Sequence, residues 1–179
     1  MSVLGQWIGD APRIPFQGTT YRIVPARYRD SPLSMLGAYL HGARYNPRGV
    51  FDCLYTSLDL ETAWVELERY FTVPPRGGFL RAVIGLRLSR VLDLTDETLL
   101  RQAGAGLPDL ISTSYEIPRA LGVSAWTNGI EGLLIPSAAR LRGKNLAVLL
   151  DNQGPGWRLH LRRVDAVRPG SRRASYPSR

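Results

Sequence analysis

Only one cysteine, Cys53, and two histidines, His41 and His160, occur in the 179 residues. A lone cysteine excludes an internal disulfide and any cysteine-built metal cage. Two histidines leave too few ligands for histidine-rich metal chemistry. Long apolar runs are missing too: "LAVLL" and "GLLIP" fall far short of the roughly 20 residues that cross a bilayer. The N-terminal stretch "MSVLGQWIGDAP" has neither a basic n-region nor a long apolar h-region, so no secretory signal is expected. No internal repeat and no linker divides the chain. These absences predict a cytoplasmic, metal-free, single-domain protein.

What is present is globular composition, with 44% apolar and 21% charged residues. The formal net charge is +8. Four of the arginines lie in the acid-free tail "RPGSRRASYPSR" (168–179), whose Pro, Ser and Gly content predicts an unfolded segment. The domain proper is therefore expected over 1–167. Its remaining positive bias suits an anionic small molecule as well as nucleic acid.

Strand and helix signals alternate irregularly. "TTYRIVPARY" (19–28) has strand propensity and is cut by Pro25, and 31–42 reads as a turn or short helix. "VFDCLYT" (50–56) reads as a strand with Phe51, Cys53 and Tyr55 on one face. A helix follows over about 59–71, capped by Ser57 or Asp59 and stopping before Pro74. "FLRAVIGLRLSRVLDL" (79–94) alternates, with Leu80, Ala82, Ile84, Leu86 and Leu88 on one face and Arg81 and Arg87 on the other. "DETLLRQAG" predicts a short helix closed by Gly104. Residues 113–122 suggest another, broken or restarted at Pro118. Three late strands follow, "EGLLIP", "KNLAVLLD" and "GWRLHLRRVDAV", the last two joined as a hairpin across "NQGPG". Strands outnumber helices in this reading, and the class is α+β with mixed or antiparallel sheets and short helices.

Several residues invite a chemical reading. In "GARYNPRG", Gly42 and Gly49 bracket a turn that can offer Arg44 and backbone N–H groups to a phosphate; a solvated loop arginine is the plainer account. Tyr55 ends an inward-facing run, where core packing is the usual role. On a helical wheel, Leu60, Ala63, Trp64, Leu67, Tyr70 and Phe71 form one apolar arc. Glu61 and Glu68 flank one side of it, and Glu66 stands alone at the other edge beside Tyr70. Such a carboxylate can line a cleft, although a surface ion pair is its commoner fate. "IPSAA" exposes Ser137 in a turn without a nucleophile-elbow context, which rejects a serine hydrolase. "GAGLPD" (104–109) lacks the third glycine of a dinucleotide fingerprint and follows a helix, so it reads as a helix end and loop.

Taken in order, "YRIV" with Arg22, "GARYNPRG" with Arg44, "LYTS" with Tyr55, "AWVE" with Glu66 and "IPSA" with Ser137 resemble the RES-domain family of toxins. That family belongs to Xre–RES toxin–antitoxin pairs of bacteria, and the match covers about residues 20–150. Ala43 and Tyr45 depart from the family's "GGRWNP" turn without removing a reactive group. The resemblance implies an ADP-ribosyltransferase-like fold and an enzyme that consumes NAD⁺, by phosphorolysis with inorganic phosphate as co-substrate or by hydrolysis. It assigns Arg22 and Arg44 to the pyrophosphate and an ionised Glu66 to the positive charge that develops on the ribose. Tyr55 would stack on the nicotinamide or support the ribose. Ser137 would bond the ligand or orient Glu66, and Trp126 and Asn128 of "SAWTNG" would be lesser pocket residues. It further implies growth arrest, an Xre-type helix-turn-helix antitoxin whose end plugs the pocket, and a second copy as partner. ADP-ribosyl transfer to a protein is a related alternative. The rival class is a non-catalytic basic nucleic-acid module, supported by "WRLHLRR" and the net charge but by no recognised motif.

Overall fold

The computed structural model describes residues 3–168 except 72 and 74. Of the basic tail expected from 168, only Arg168 is described, directly after β6 ends at Val167; the rest lies outside the described residues. Among the described residues there are six α-helices and six strands, so strands do not outnumber helices. The helices are α1 (Val3–Asp10), α2 (Leu36–His41), α3 (Leu60–Glu68), α4 (Glu97–Gln102), α5 (Leu107–Ile111) and α6 (Glu116–Thr127). The strands are β1 (Ile14–Pro25), β2 (Cys53–Ser57), β3 (Phe79–Asp93), β4 (Gly132–Pro136), β5 (Lys144–Leu149) and β6 (Arg158–Val167). The class is α+β, as expected.

The sheet order is β1-β2-β5-β4-β3-β6, with a further β1–β3 pairing that closes the sheet on itself. All neighbours are antiparallel except β3 and β4. The long β3 is thus the middle strand of one three-stranded arm, β1-β3-β6, and its parallel pairing with β4 joins it to a second, β2-β5-β4. Its alternation explains how they pack. Ala82, Ile84, Leu86 and Leu88 of β3 share one buried cluster with Leu54 of β2 and Leu146 and Val148 of β5. Each of these leucines, isoleucines and valines contributes roughly 1.5–3 kcal/mol when fully buried. A second cluster joins α1, α4, α5 and α6 to β2, β4 and β5 through Ile8, Leu100, Leu110, Leu121, Leu133 and Leu149. A third seats Ala63 and Trp64 of α3 on Ile23 and Phe79.

Four expectations need correction. β5 and β6 form no hairpin, because both edges of β5 are already taken by β2 and β4, and β6 pairs with β3 instead. "GAGLPD" does not end in a loop: α5 starts there, and the Asp109 carboxylate accepts from the Gly106 N–H at 2.8 Å. Pro118 breaks nothing, since it lies in the first turn of α6, where an N–H would find no helical partner. On α3, which ends at Glu68 and not near 71, Tyr70 leaves the apolar arc and is 74% exposed.

Pairing between β1 and β2 is confined to Tyr21↔Ser57. Residues on both sides of that junction, Tyr21–Pro25 and Tyr55–Ser57, line a cavity of about 710 Å³ that is also bounded by α2, α3 and the 42–45 turn. The cavity volume lies within the range that holds small molecules and cofactors.

Candidate active site

Glu66 reaches this cavity from α3, and local sequence explains its placement. Asp59 caps the helix, its two carboxylate oxygens accepting from the Thr62 N–H at 2.8 Å and the Thr62 hydroxyl at 2.7 Å. Arg140 then ties the turn after β4 to this helix start, bonding Thr62 Oγ1 at 3.1 Å and Glu61 Oε2 at 2.6 Å. In that turn the buried Ser137 Oγ accepts from the Ala139 and Arg140 N–H groups and donates to Glu66 Oε1 at 2.6 Å. Asn145 of β5 donates its amide to the same Oε1 at 2.7 Å. The Ser57 hydroxyl in turn donates to Asn145 Oδ1 at 2.7 Å. Glu66 Oε2 lies 3.7 Å from Arg69 Nη1. One carboxylate oxygen is thus held by two short bonds, while the other is left beside the cavity. Ser137 is not among the residues that line the cavity; what its hydroxyl meets is Glu66.

Arg44 also lines the cavity. Its turn is clamped from several sides. Gly42 has φ +72°, and a Cβ there would lie 3.1 Å from the Arg48 nitrogen. The Ala43 N–H bonds the Asn46 carbonyl at 2.9 Å. Arg44 Nη1 donates to the carbonyls of Leu110 and Ser112 at 3.0 and 2.7 Å, where a cation suits the C-terminal end of α5. The guanidinium carbon lies 4.5 Å from the centre of the Tyr115 ring, and that of Arg119 lies 5.3 Å from the same ring. Arg119 also bonds the Ala43 carbonyl at 3.1 Å.

Tyr55 lines the cavity, but its hydroxyl is committed to this turn, accepting from the Tyr45 N–H and donating to Asn46 Oδ1, both at 2.9 Å. Burial holds the Tyr55 phenol well above its ordinary value. It stays protonated and works as a strut. Beneath it the Cys53 thiol is fully buried and pushed by burial up to about 12, which makes it inert as a nucleophile.

Arg22, on β1, is the electrostatic anomaly. It lines the cavity, is mostly buried, and its Nη1 has no hydrogen-bond partner. Burial lowers its pKa. A desolvated guanidinium nitrogen without a partner is costly, and an anion in the cavity would relieve that cost.

The structure does not bring Trp126 and Asn128 to the cavity. Trp126 stacks on Phe51 with ring centres 5.4 Å apart and donates its indole N–H to Asp151 at 3.1 Å. Asn128 caps the end of α6, donating to the Ser124 carbonyl at 2.8 Å. Both serve helix packing, because α6 runs on to Thr127. Sequence reasoning missed Asn145, Ser57 as its partner, Tyr115 and the cavity-lining role of Tyr70. Asn145 carried one faint signal, an amide opening an otherwise apolar strand. Its partner is visible only from the register, which sets Ser57 opposite it.

Residues 19–168 match the RES domain family. A relative from Mycobacterium tuberculosis named "Probable NAD(+) phosphorylase" is 31% identical over 154 residues, spanning 82% of this chain and 71% of that one. The NAD(+) phosphorylase MbcT of Mycobacterium bovis is 29% identical over 132 residues, 70% of each chain. The crystal structure of the M. tuberculosis MbcT–MbcA toxin–antitoxin complex superposes with a TM-score of 0.78 at 26% identity, covering 94% of this chain and 93% of that one.

Proposed function

The chain belongs to the RES domain family, and from that premise we propose that it is a toxin that destroys NAD⁺ by cleaving the nicotinamide–ribose bond, with inorganic phosphate as acceptor. The observation that carries the reading is the pairing, on one cavity, of a carboxylate whose Oε1 is fixed by two hydrogen bonds and an arginine with a buried Nη1 that lacks a hydrogen-bond partner. In this reaction the bond from ribose C1′ to the nicotinamide nitrogen breaks, and nicotinamide leaves with the electron pair. A phosphate oxygen then bonds C1′, giving a ribosyl phosphate. Positive charge grows on the ribose as the leaving group departs, and Glu66 Oε2 is placed to stabilise it while gripping the 2′-hydroxyl. Arg22 takes phosphate oxygens of the substrates. Arg44, held by two carbonyls and the Tyr115 ring, presents a fixed positive wall to the pyrophosphate. Tyr55 keeps that wall in place and offers its ring to the ligand.

The named activity of the curated relatives favours phosphate over water or a protein as acceptor. Among the described residues no helix is long and apolar enough to cross a membrane, in keeping with action in the cytoplasm, where NAD⁺ and phosphate are available. The solved relative's complex supports neutralisation by a cognate antitoxin, for which we propose an Xre-type helix-turn-helix protein whose end fills the cavity, with the toxin itself paired to a second copy. Expression in a bacterium without the partner tests the reading. Cellular NAD⁺ should fall and growth should stop. Unchanged NAD⁺ alongside abundant soluble protein would contradict it.

A further inference from the structure

Glu66 Oε1 accepts from two side chains, and only one of them belongs to the motif that the sequence displayed. The other, Asn145, is the second residue of β5, directly opposite Ser57 in the β2–β5 ladder and opposite Ile135 in the β4–β5 ladder. Its amide sits at the centre of a hydrogen-bond chain: Ser57 Oγ to Asn145 Oδ1 at 2.7 Å, then Asn145 Nδ2 to Glu66 Oε1 at 2.7 Å. An amide has one accepting end and one donating end. Ser57, which is buried, engages the accepting end and so fixes the donating end toward the carboxylate. A flipped amide would set oxygen against oxygen. Ser137 approaches the same Oε1 from the turn after β4. The two donors come from different elements, so together they fix where the carboxylate sits and how it is rotated. Oε2 takes neither bond, on a side chain that lines the cavity.

We propose that Asn145, steered by Ser57, is a positioning residue that holds Glu66 in its reactive orientation. The inference rests on the NAD⁺-cleaving reading for its kinetic test, but the contact can also be read without turnover.

Asn145→Ala should lower kcat for NAD⁺ loss about 10- to 100-fold, as expected for a misplaced catalytic group, and leave KM within about threefold. Asn145→Asp keeps the shape but cannot donate when ionised and sets a second carboxylate against Glu66. It should lose at least as much. In a Glu66→Gln background the further change Asn145→Ala should alter kcat by less than about twofold, because the group it positions is already gone. A residue that merely braces the fold would instead give additive losses and tolerate Asp. Ser57→Ala, which removes only the steering hydroxyl, is the second variant should Asn145→Ala fold poorly, and it should also lower kcat with KM little changed. In nitrogen-15 NMR spectra of the unliganded protein, the side-chain amide signals of Asn145 should move on Glu66→Ala and on Ser57→Ala. Signals that neither substitution moves overturn the proposal, as do folded Asn145 variants with the wild-type kcat. A wild-type protein that leaves NAD⁺ intact overturns the proposed reaction instead, and the spectra still decide the positioning.

Discussion

Glu66 and Glu68 stand two residues apart on α3, yet only Glu66 meets Ser137, Asn145 and the cavity, while Glu68 faces outward. Glu66→Gln keeps size and hydrogen bonding but removes the charge on which the proposed stabilisation of a cationic ribose depends. It should cut kcat by roughly 10²-fold or more with little change in NAD⁺ affinity. Glu68→Gln is the control and should be near neutral. If Glu68→Gln abolished turnover while Glu66→Gln stayed active and folded, the assignment would fail. Arg44→Ala has a different expected signature. Loss of a charged phosphate contact weakens NAD⁺ binding by about 1.5–3 kcal/mol, measured as a rise in KM or in Kd by calorimetry. Because Arg44 also holds the carbonyls of Leu110 and Ser112, this variant should lose stability as well, which Glu66→Gln should not.

At the scale of elements, α6 sets the position of the Arg44 turn by close approach. A Cβ on Gly122 would run into the backbone carbonyl of Tyr45. Gly122→Ala must push the helix and the turn apart and should cost about 1–3 kcal/mol, the usual range for overpacking. A lower urea midpoint together with weaker NAD⁺ binding is the expected result; unchanged values of both would show that the turn is not clamped there. This clamp also shows what the sequence could and could not tell. β3 was legible because one face of its alternation stays buried along the strand. The α3 cap was legible because Asp59 and Thr62 have the required spacing. Glu66, Arg44 and Arg22 were legible as motif residues. The β6 pairing was not, because a connection that looks like a hairpin turn says nothing of which strand edges are already occupied. Asn145 and Tyr115 were hidden for a related reason. Their roles come from contacts across 79 residues to Glu66 and across the gap between α6 and the Arg44 turn, which no local pattern encodes.

The molecule as a whole buries three acidic groups in their neutral forms: Cys53, pushed by burial up to about 12, and Tyr45 and Tyr55, both raised by burial. The unfolded chain releases these protons from about pH 8.5 for the thiol and about pH 10 for the phenols. The folded state therefore binds more protons in alkaline solution, and stability falls as pH rises. Stability should be undiminished by these groups below about pH 8.5 and decline toward pH 12, by up to about 1.4 kcal/mol per pH unit for each proton that differs. Urea midpoints at pH 8 and pH 10.5 check this. Tyr45→Phe, whose lost hydroxyl has no hydrogen-bond partner, should flatten the decline, and equal wild-type midpoints at the two pH values would contradict it. The site itself is most directly tested by phosphorus NMR of the purified protein with NAD⁺, in phosphate and in phosphate-free buffer. NAD⁺ signals should be replaced, only in phosphate, by those of an ADP-ribose carrying a new phosphate on ribose C1′, with Glu66→Gln nearly silent. NAD⁺ that survives intact in phosphate, or a Glu66→Gln variant as fast as wild type, would contradict the account.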